Sequence, residues 1–224
     1  MMRATDLFAL AGIDVALCAL WVSLIIHWFP VALKPSVSGG RFNRRVAGVA
    51  TVTLLCLWIP AGPAMLPLLA YVRGIGSDLS ITSMTLACLA LHRLLWPHPR
   101  LRLSEKRWLY AAVLLAALVL YPTALGWGDW DAYRAGWGSQ IFLTGLAFTA
   151  FAAFFAGAWL LPFAVAAGVL AWTVGLLESS NVWDYLIDPW LVLLACGQWL
   201  MTSIAFLRRR FSAQSPSSAM RRLL

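Results

Sequence analysis

Acidic side chains are scarce in this chain: nine Asp and Glu stand against seventeen Lys and Arg, a formal net charge of +8. Lysine is scarcer still, because fifteen of the basic residues are arginine and only Lys34 and Lys106 carry an ammonium. The last apolar run, Trp190 to Leu207, therefore holds no lysine, which excludes a Schiff-base retinal protein. Histidine appears three times, at His27, His92 and His98, and none lies near an acidic stretch. With no Gly-x-Ser-x-Gly either, intramembrane serine proteolysis and histidine-based phosphatase chemistry lack their essential groups. The four cysteines, Cys18, Cys56, Cys88 and Cys196, sit in four different apolar runs without paired spacing, so neither a disulfide framework nor a zinc motif follows. They read as small buried hydrophobes. No internal repeat is visible.

What the chain has instead is apolar length. Hydrophobic residues make up 62% of the 224 positions and charged residues 12%, and the mean hydropathy is +0.79. A water-soluble domain of this size could not bury so much apolar surface, so a bilayer is the expected solvent. The positive charge does not point to nucleic acid, since the basic residues flank apolar runs instead of interleaving with aromatics on a polar face. Two blocks, Arg44-Arg45 and Arg208-Arg209-Arg210 with Arg221 and Arg222, read as contacts with anionic lipid at a cytoplasmic surface. Arg3 and Asp6 before the first run give no cleavable signal pattern, and that run is expected to be a retained span.

Runs of about 20 apolar residues predict an all-α polytopic bundle of about seven transmembrane helices in one domain over 1–210, with a disordered basic cytoplasmic tail over 211–224. The first span covers Leu7 to about Pro30 with Asp14 inside it, a costly carboxylate that must face other helices or water. The second, Val46 to Val72, is broken or bent near Pro60. A turn over Arg73 to Asp78 is expected to cap the third span, to Trp96, through Ser77 or Asp78. The fourth span runs from Trp108 to Ala124. Ile141 to Leu177 suits two spans with a hairpin between Gly157 and Pro162. Asp188-Pro189 opens the last span as N-cap and first helical residue, and it ends at Arg208.

An odd number of crossings with the N-terminus outside and the C-terminus cytoplasmic places nearly all Lys and Arg inside and every connector acid except Glu105 outside. The outward face then gathers Asp78, two polar islands, Gly126 to Gly138 and Glu178 to Asp188, with Asp14 below them. Candidate ligand-binding residues are Asp78, Asp129, Asp131, Tyr133, Arg134, Glu178, Asn181, Asp184 and Tyr185. Among these, Asp129, Asp131, Glu178 and Asp184 are oxygen ligands suited to Ca²⁺ or Mg²⁺ rather than zinc. Arg134 is placed either to pair with an acid or to receive a phosphate. Gly126 to Trp137 loosely resembles the outward loops of haem-handling membrane proteins, but the flanking histidines are absent. His27 and His92 read as interfacial residues at helix ends rather than ligands of a haem.

The expectation is an integral membrane protein of a cell envelope, in a bacterial inner membrane, binding a lipid headgroup, glycan, divalent cation or partner protein at its outward acidic and aromatic rim. Two alternatives stay open. One is a membrane-embedded transferase or hydrolase acting on a lipid-linked substrate through the outward carboxylates. The other is a small-solute permease, suggested by Asp14 and the broken second run.

Overall fold

The computed structural model describes residues 3–29, 42–96 and 103–213. It is helical, with nine α-helices among the described residues. They are α1 (Ala4–Trp28), α2 (Arg44–Cys56), α3 (Leu68–Gly76), α4 (Ile81–Leu95), α5 (Leu103–Ala124), α6 (Gln140–Phe155), α7 (Leu160–Thr173), α8 (Val182–Leu186) and α9 (Pro189–Ala213). Three of them are long and apolar enough to cross a membrane: Ala4–Trp28, Ser104–Ala124 and Pro189–Arg208. Ile81–Leu95, Gln140–Phe155 and Leu160–Thr173 are apolar but shorter. Sixteen residues in α6 rise about 24 Å, less than a hydrocarbon core of about 30 Å.

The outer surface is as apolar as the interior. Leu20, Trp21, Leu118, Phe148, Phe151, Leu193 and Leu200 are all exposed, and α6 has no buried residue. A helix apolar on every side needs lipid or protein around it, which agrees with a membrane protein. Inside, α1 packs mainly on α4 and on α2, α5 on α9, and α6 and α8 on α7. Leu109, Val113, Leu161, Ala164, Leu191 and Ala195 form the core shared by α5, α7 and α9.

The second apolar run is broken outright. Helix α2 stops at Cys56, and a two-residue ladder pairs Pro60 with Pro67 and Ala61 with Leu66 before α3 begins. Three prolines remove backbone donors within eight residues (60–67), so the helix cannot continue. Gly62 turns the hairpin at φ +68, and the Tyr71 hydroxyl closes it by donating to the Ala61 carbonyl at 2.9 Å.

Several expected boundaries shift. The turn over Arg73 to Asp78 is helical through Gly76, and the cap of α4 is Ser80, whose Oγ accepts from Ser83 N at 3.1 Å, rather than Ser77 or Asp78. Arg44 and Arg45 lie in the first turn of α2, where Asn43 supplies the cap. Helix α5 begins at Leu103, not Trp108, and α9 runs past Arg208 to Ala213, into the expected tail. The rest of that tail, most of the Lys34 to Arg45 connector and residues 97–102 lie outside the described residues. Only Cys18 is buried; Cys56, Cys88 and Cys196 face outward as free thiols, contrary to their reading as core residues.

Other expectations hold. The hairpin after α6 turns at Gly157, φ +74. Asp188 caps α9, its Oδ1 accepting from Leu191 N at 2.8 Å. Glu105, the one acid on the basic side of the sequence pattern, is buried and accepts from Leu160 N at 3.0 Å, so it caps α7 from a neighbouring helix.

Candidate functional site

The two polar islands meet. The island over Gly126 to Gly138 folds into a 3₁₀ turn, Ala132–Gly136, because Asp131 Oδ1 accepts from Tyr133 N at 2.9 Å and starts it. The island over Glu178 to Asp188 forms α8, started in the same way by Asn181, whose Oδ1 accepts from Trp183 N at 3.0 Å. Side chains then cross between them. Tyr133 Oη donates to Asp184 Oδ2 at 2.8 Å, Asn181 Nδ2 to Tyr133 O at 2.9 Å, and Trp183 Nε1 to Ala132 O at 2.9 Å. Gly136 permits this approach: a Cβ there would fall 1.8 Å from Asn181 Oδ1.

Asp184 takes a second hydrogen bond from Ser179 Oγ. Burial, followed by the Asp184 carboxylate, pushes the Tyr133 phenol up to about 12. Tyr185 is fully buried, and burial is also the main reason its phenol lies above the ordinary value. Its Oη sits 2.9 Å from Ser179 O and 3.1 Å from Leu177 O, and it accepts from Leu177 N at 3.2 Å. Tyr185 therefore fastens the turn before α8 and is not free to meet a ligand.

A second node centres on Arg73. Its guanidinium donates to Asp78 at 2.6 Å, to Asp6 at 2.6 Å and to Glu178 at 3.2 Å, joining the start of α1, the end of α3 and the Glu178 to Asp188 island. Those carboxylates, Asp78 first, hold Arg73 protonated more firmly than an ordinary arginine. The cleft they line, with Leu10 and Ser77, measures about 540 Å³. Three carboxylates around one cation leave a net negative rim.

The proposed oxygen set for a divalent cation does not assemble. Glu178 is on Arg73, Asp184 on Tyr133 and Ser179, and Asp131 on the 3₁₀ turn. Asp129 is exposed with no hydrogen bond or ion pair among the described residues. Each of the other three already has a protein donor, and no group of three or more metal-ligating side chains forms among the described residues. Arg134 is exposed and pairs with none of the acids. His27 meets Trp28 edge-on and His92 stacks on Trp96, each within its own helix end.

Asp14 is 6% exposed and turned inward. Trp58, just past the end of α2, donates its Nε1–H to Asp14 Oδ2 at 2.8 Å; Oδ1 is buried without a partner among the described residues.

Beneath the islands lies an apolar groove of about 510 Å³ between α5, α6, α7 and α8, lined by Ala112, Ala116, Gly145, Leu146, Val165 and Trp183 among others. Leu115 and Ile141 at its edge are 66% and 87% exposed, so it opens sideways on the outer surface. Trp183 belongs to both features: its indole N–H is in the rim, and its ring packs on Phe142, 4.5 Å between centroids, at the groove. The arrangement offers directed acceptors at one end and a dry slot below. Among the described residues, Ser179 Oγ donates to Asp184 and accepts from Asn181 N at 3.0 Å.

Sequence reasoning missed Asp6, Ser179, Gly136 and Trp183. Asp6 was legible in principle, since an outward N-terminus brings it to the acidic face. Gly136 was not, because its role depends on contact with a residue 45 positions away. No protein-family model matches the chain, and neither a curated protein nor a solved structure does.

Proposed function

We propose that this protein is an integral membrane binding protein of the cell envelope that holds an amphiphile, its acyl chain in the groove between α5 and α6 and its polar head at the Tyr133–Asp184 rim. The carrying observation is the shared Trp183, which ties a hydrogen-bonded polar rim directly to an apolar slot open toward lipid. A chain entering sideways stays in an apolar medium throughout, and the head meets acceptors and aromatic faces where it leaves that medium. In this reading the bundle crosses seven times, with α2 and α3 together as one interrupted crossing, the N-terminus and both islands outside, and the Arg-rich end of α9 in the cytoplasm. That sorting of charge is the positive-inside pattern of a bacterial inner membrane.

The test is photo-crosslinking in proteoliposomes with a phospholipid carrying a photoreactive acyl chain. A Cβ at Gly145 meets nothing within 4 Å, so Gly145→Trp fills the groove without a clash at its root, and Gly48→Trp on α2 is the matched control. Labelling of α5 and α6 peptides should fall several-fold in Gly145→Trp alone. Equal labelling of wild type and Gly145→Trp, or labelling spread evenly over all helices, contradicts the proposal.

A further inference from the structure

At the opposite end of the bundle, Arg93 lies in the last turn of α4 and Lys106 in the first turns of α5. Both are partly buried, and Arg93 is within electrostatic reach of Lys106 and of the hydroxyl of Tyr110, a buried residue. Like charges close together in a poorly solvated place repel, and an anion between them relieves that repulsion. None is supplied by the described residues: neither Arg93 nor Lys106 makes an ion pair or a hydrogen bond among them. Glu105, next in sequence to Lys106, turns its carboxylate to Leu160 N instead. The Nη2 atom of Arg93 is shielded from solvent and has no hydrogen-bond partner among the described residues. A buried guanidinium N–H left unsatisfied is costly in a protein interior, and a bound acceptor removes the cost.

We infer that Arg93 and Lys106, with the Tyr110 hydroxyl, form a binding notch for a phosphate anion, occupied by the phosphodiester of an anionic membrane lipid. Arg93 donates from its planar fork and Lys106 contributes a point charge, a division of labour suited to a phosphate. The position at helix ends that carry the basic connectors is where an anionic lipid head resides in a positive-inside protein. The site is separate from the outward rim and does not depend on what that rim holds.

The experiment measures lipid retention by native mass spectrometry and thermal stability in detergent, with phosphatidylglycerol, with inorganic phosphate, and with neither. Phosphatidylglycerol should bind and stabilise the wild type, with retention falling on the order of tenfold in Arg93→Gln and in Lys106→Gln and unchanged in Arg3→Gln at the other end of the bundle. A matching gain from inorganic phosphate, lost in the same two variants, keeps the site and assigns it a soluble occupant. Without either anion, Arg93→Gln should be at least as stable as wild type, because the unpaired, poorly solvated charge is gone. If Arg93→Gln is destabilised equally with and without phosphatidylglycerol, or if all three variants retain lipid like wild type, the notch is structural and the inference fails.

Discussion

Tyr133 and Asp184, 51 residues apart in the chain, are joined by a 2.8 Å hydrogen bond that fastens one polar island to the other. Among the described residues, Asp184 has only Ser179 as a second partner. Removing the hydroxyl in Tyr133→Phe should cost about 1.5–3 kcal/mol, as expected for a hydrogen bond to a charged group. Because burial and Asp184 raise the phenol to about 12, above an unfolded value near 10, the neutral form is the one the fold favours. Its contribution is complete below about pH 10 and disappears as pH rises toward 12. An ultraviolet tyrosinate titration should lose its highest-pH component in Tyr133→Phe.

Gly136 should be intolerant of any side chain. Gly136→Ala forces a Cβ into the space of Asn181 Oδ1 and should destabilise the protein by roughly 1–3 kcal/mol, the range for overpacking. Gly48→Ala, in an α2 position with nothing nearby, should be neutral or stabilising by up to about 1 kcal/mol. Thermal unfolding of the two variants in the same detergent checks the contrast.

Asp188 joins two helix starts. Its Oδ1 caps α9 at Leu191 N, and its Oδ2 accepts from Ser80 N at 2.9 Å and from the Ser80 and Ser83 hydroxyls. Asp188→Ala loses a cap worth about 1 kcal/mol and leaves Ser80 N–H buried without an acceptor, a further 1–3 kcal/mol or so. Asp129→Ala should change stability by less than about 0.5 kcal/mol. A melting difference between these variants of only a degree or two would contradict the assignment.

Asp14 and Trp58 form a pair whose halves should not be equivalent. Trp58→Phe leaves the buried carboxylate without its one donor and should cost more than the double variant Asp14→Leu with Trp58→Phe, where no polar atom is stranded. A double-mutant cycle on melting temperature measures this. A double variant worse than the sum of its single changes would show that the carboxylate has another role.

Helical, membrane-suited organisation was legible because composition and run length alone decide it. The Asp188 cap and the Gly157 hairpin were legible because their signals are local. The break at Pro60 was visible as a disturbance, but its form as a small β-hairpin depends on Tyr71 reaching back to the Ala61 carbonyl. The acidic rim was misjudged in one respect. Scarce carboxylates read as a set of free ligands, whereas Arg73 holds Asp6, Asp78 and Glu178, and Tyr133 and Ser179 hold Asp184. Pairing across 51, 67 or 105 residues leaves no pattern in a single sequence.

Whether the two islands share the non-cytoplasmic surface is measured most directly by site-specific labelling. In a background lacking the four native thiols, Trp130→Cys, Ser180→Cys and Arg208→Cys would each be exposed to an impermeant maleimide in right-side-out membrane vesicles; all three positions are exposed. Trp130→Cys and Ser180→Cys should label in sealed vesicles, and Arg208→Cys only after permeabilisation. Labelling of Trp130→Cys and Ser180→Cys from opposite sides of the membrane would contradict the account.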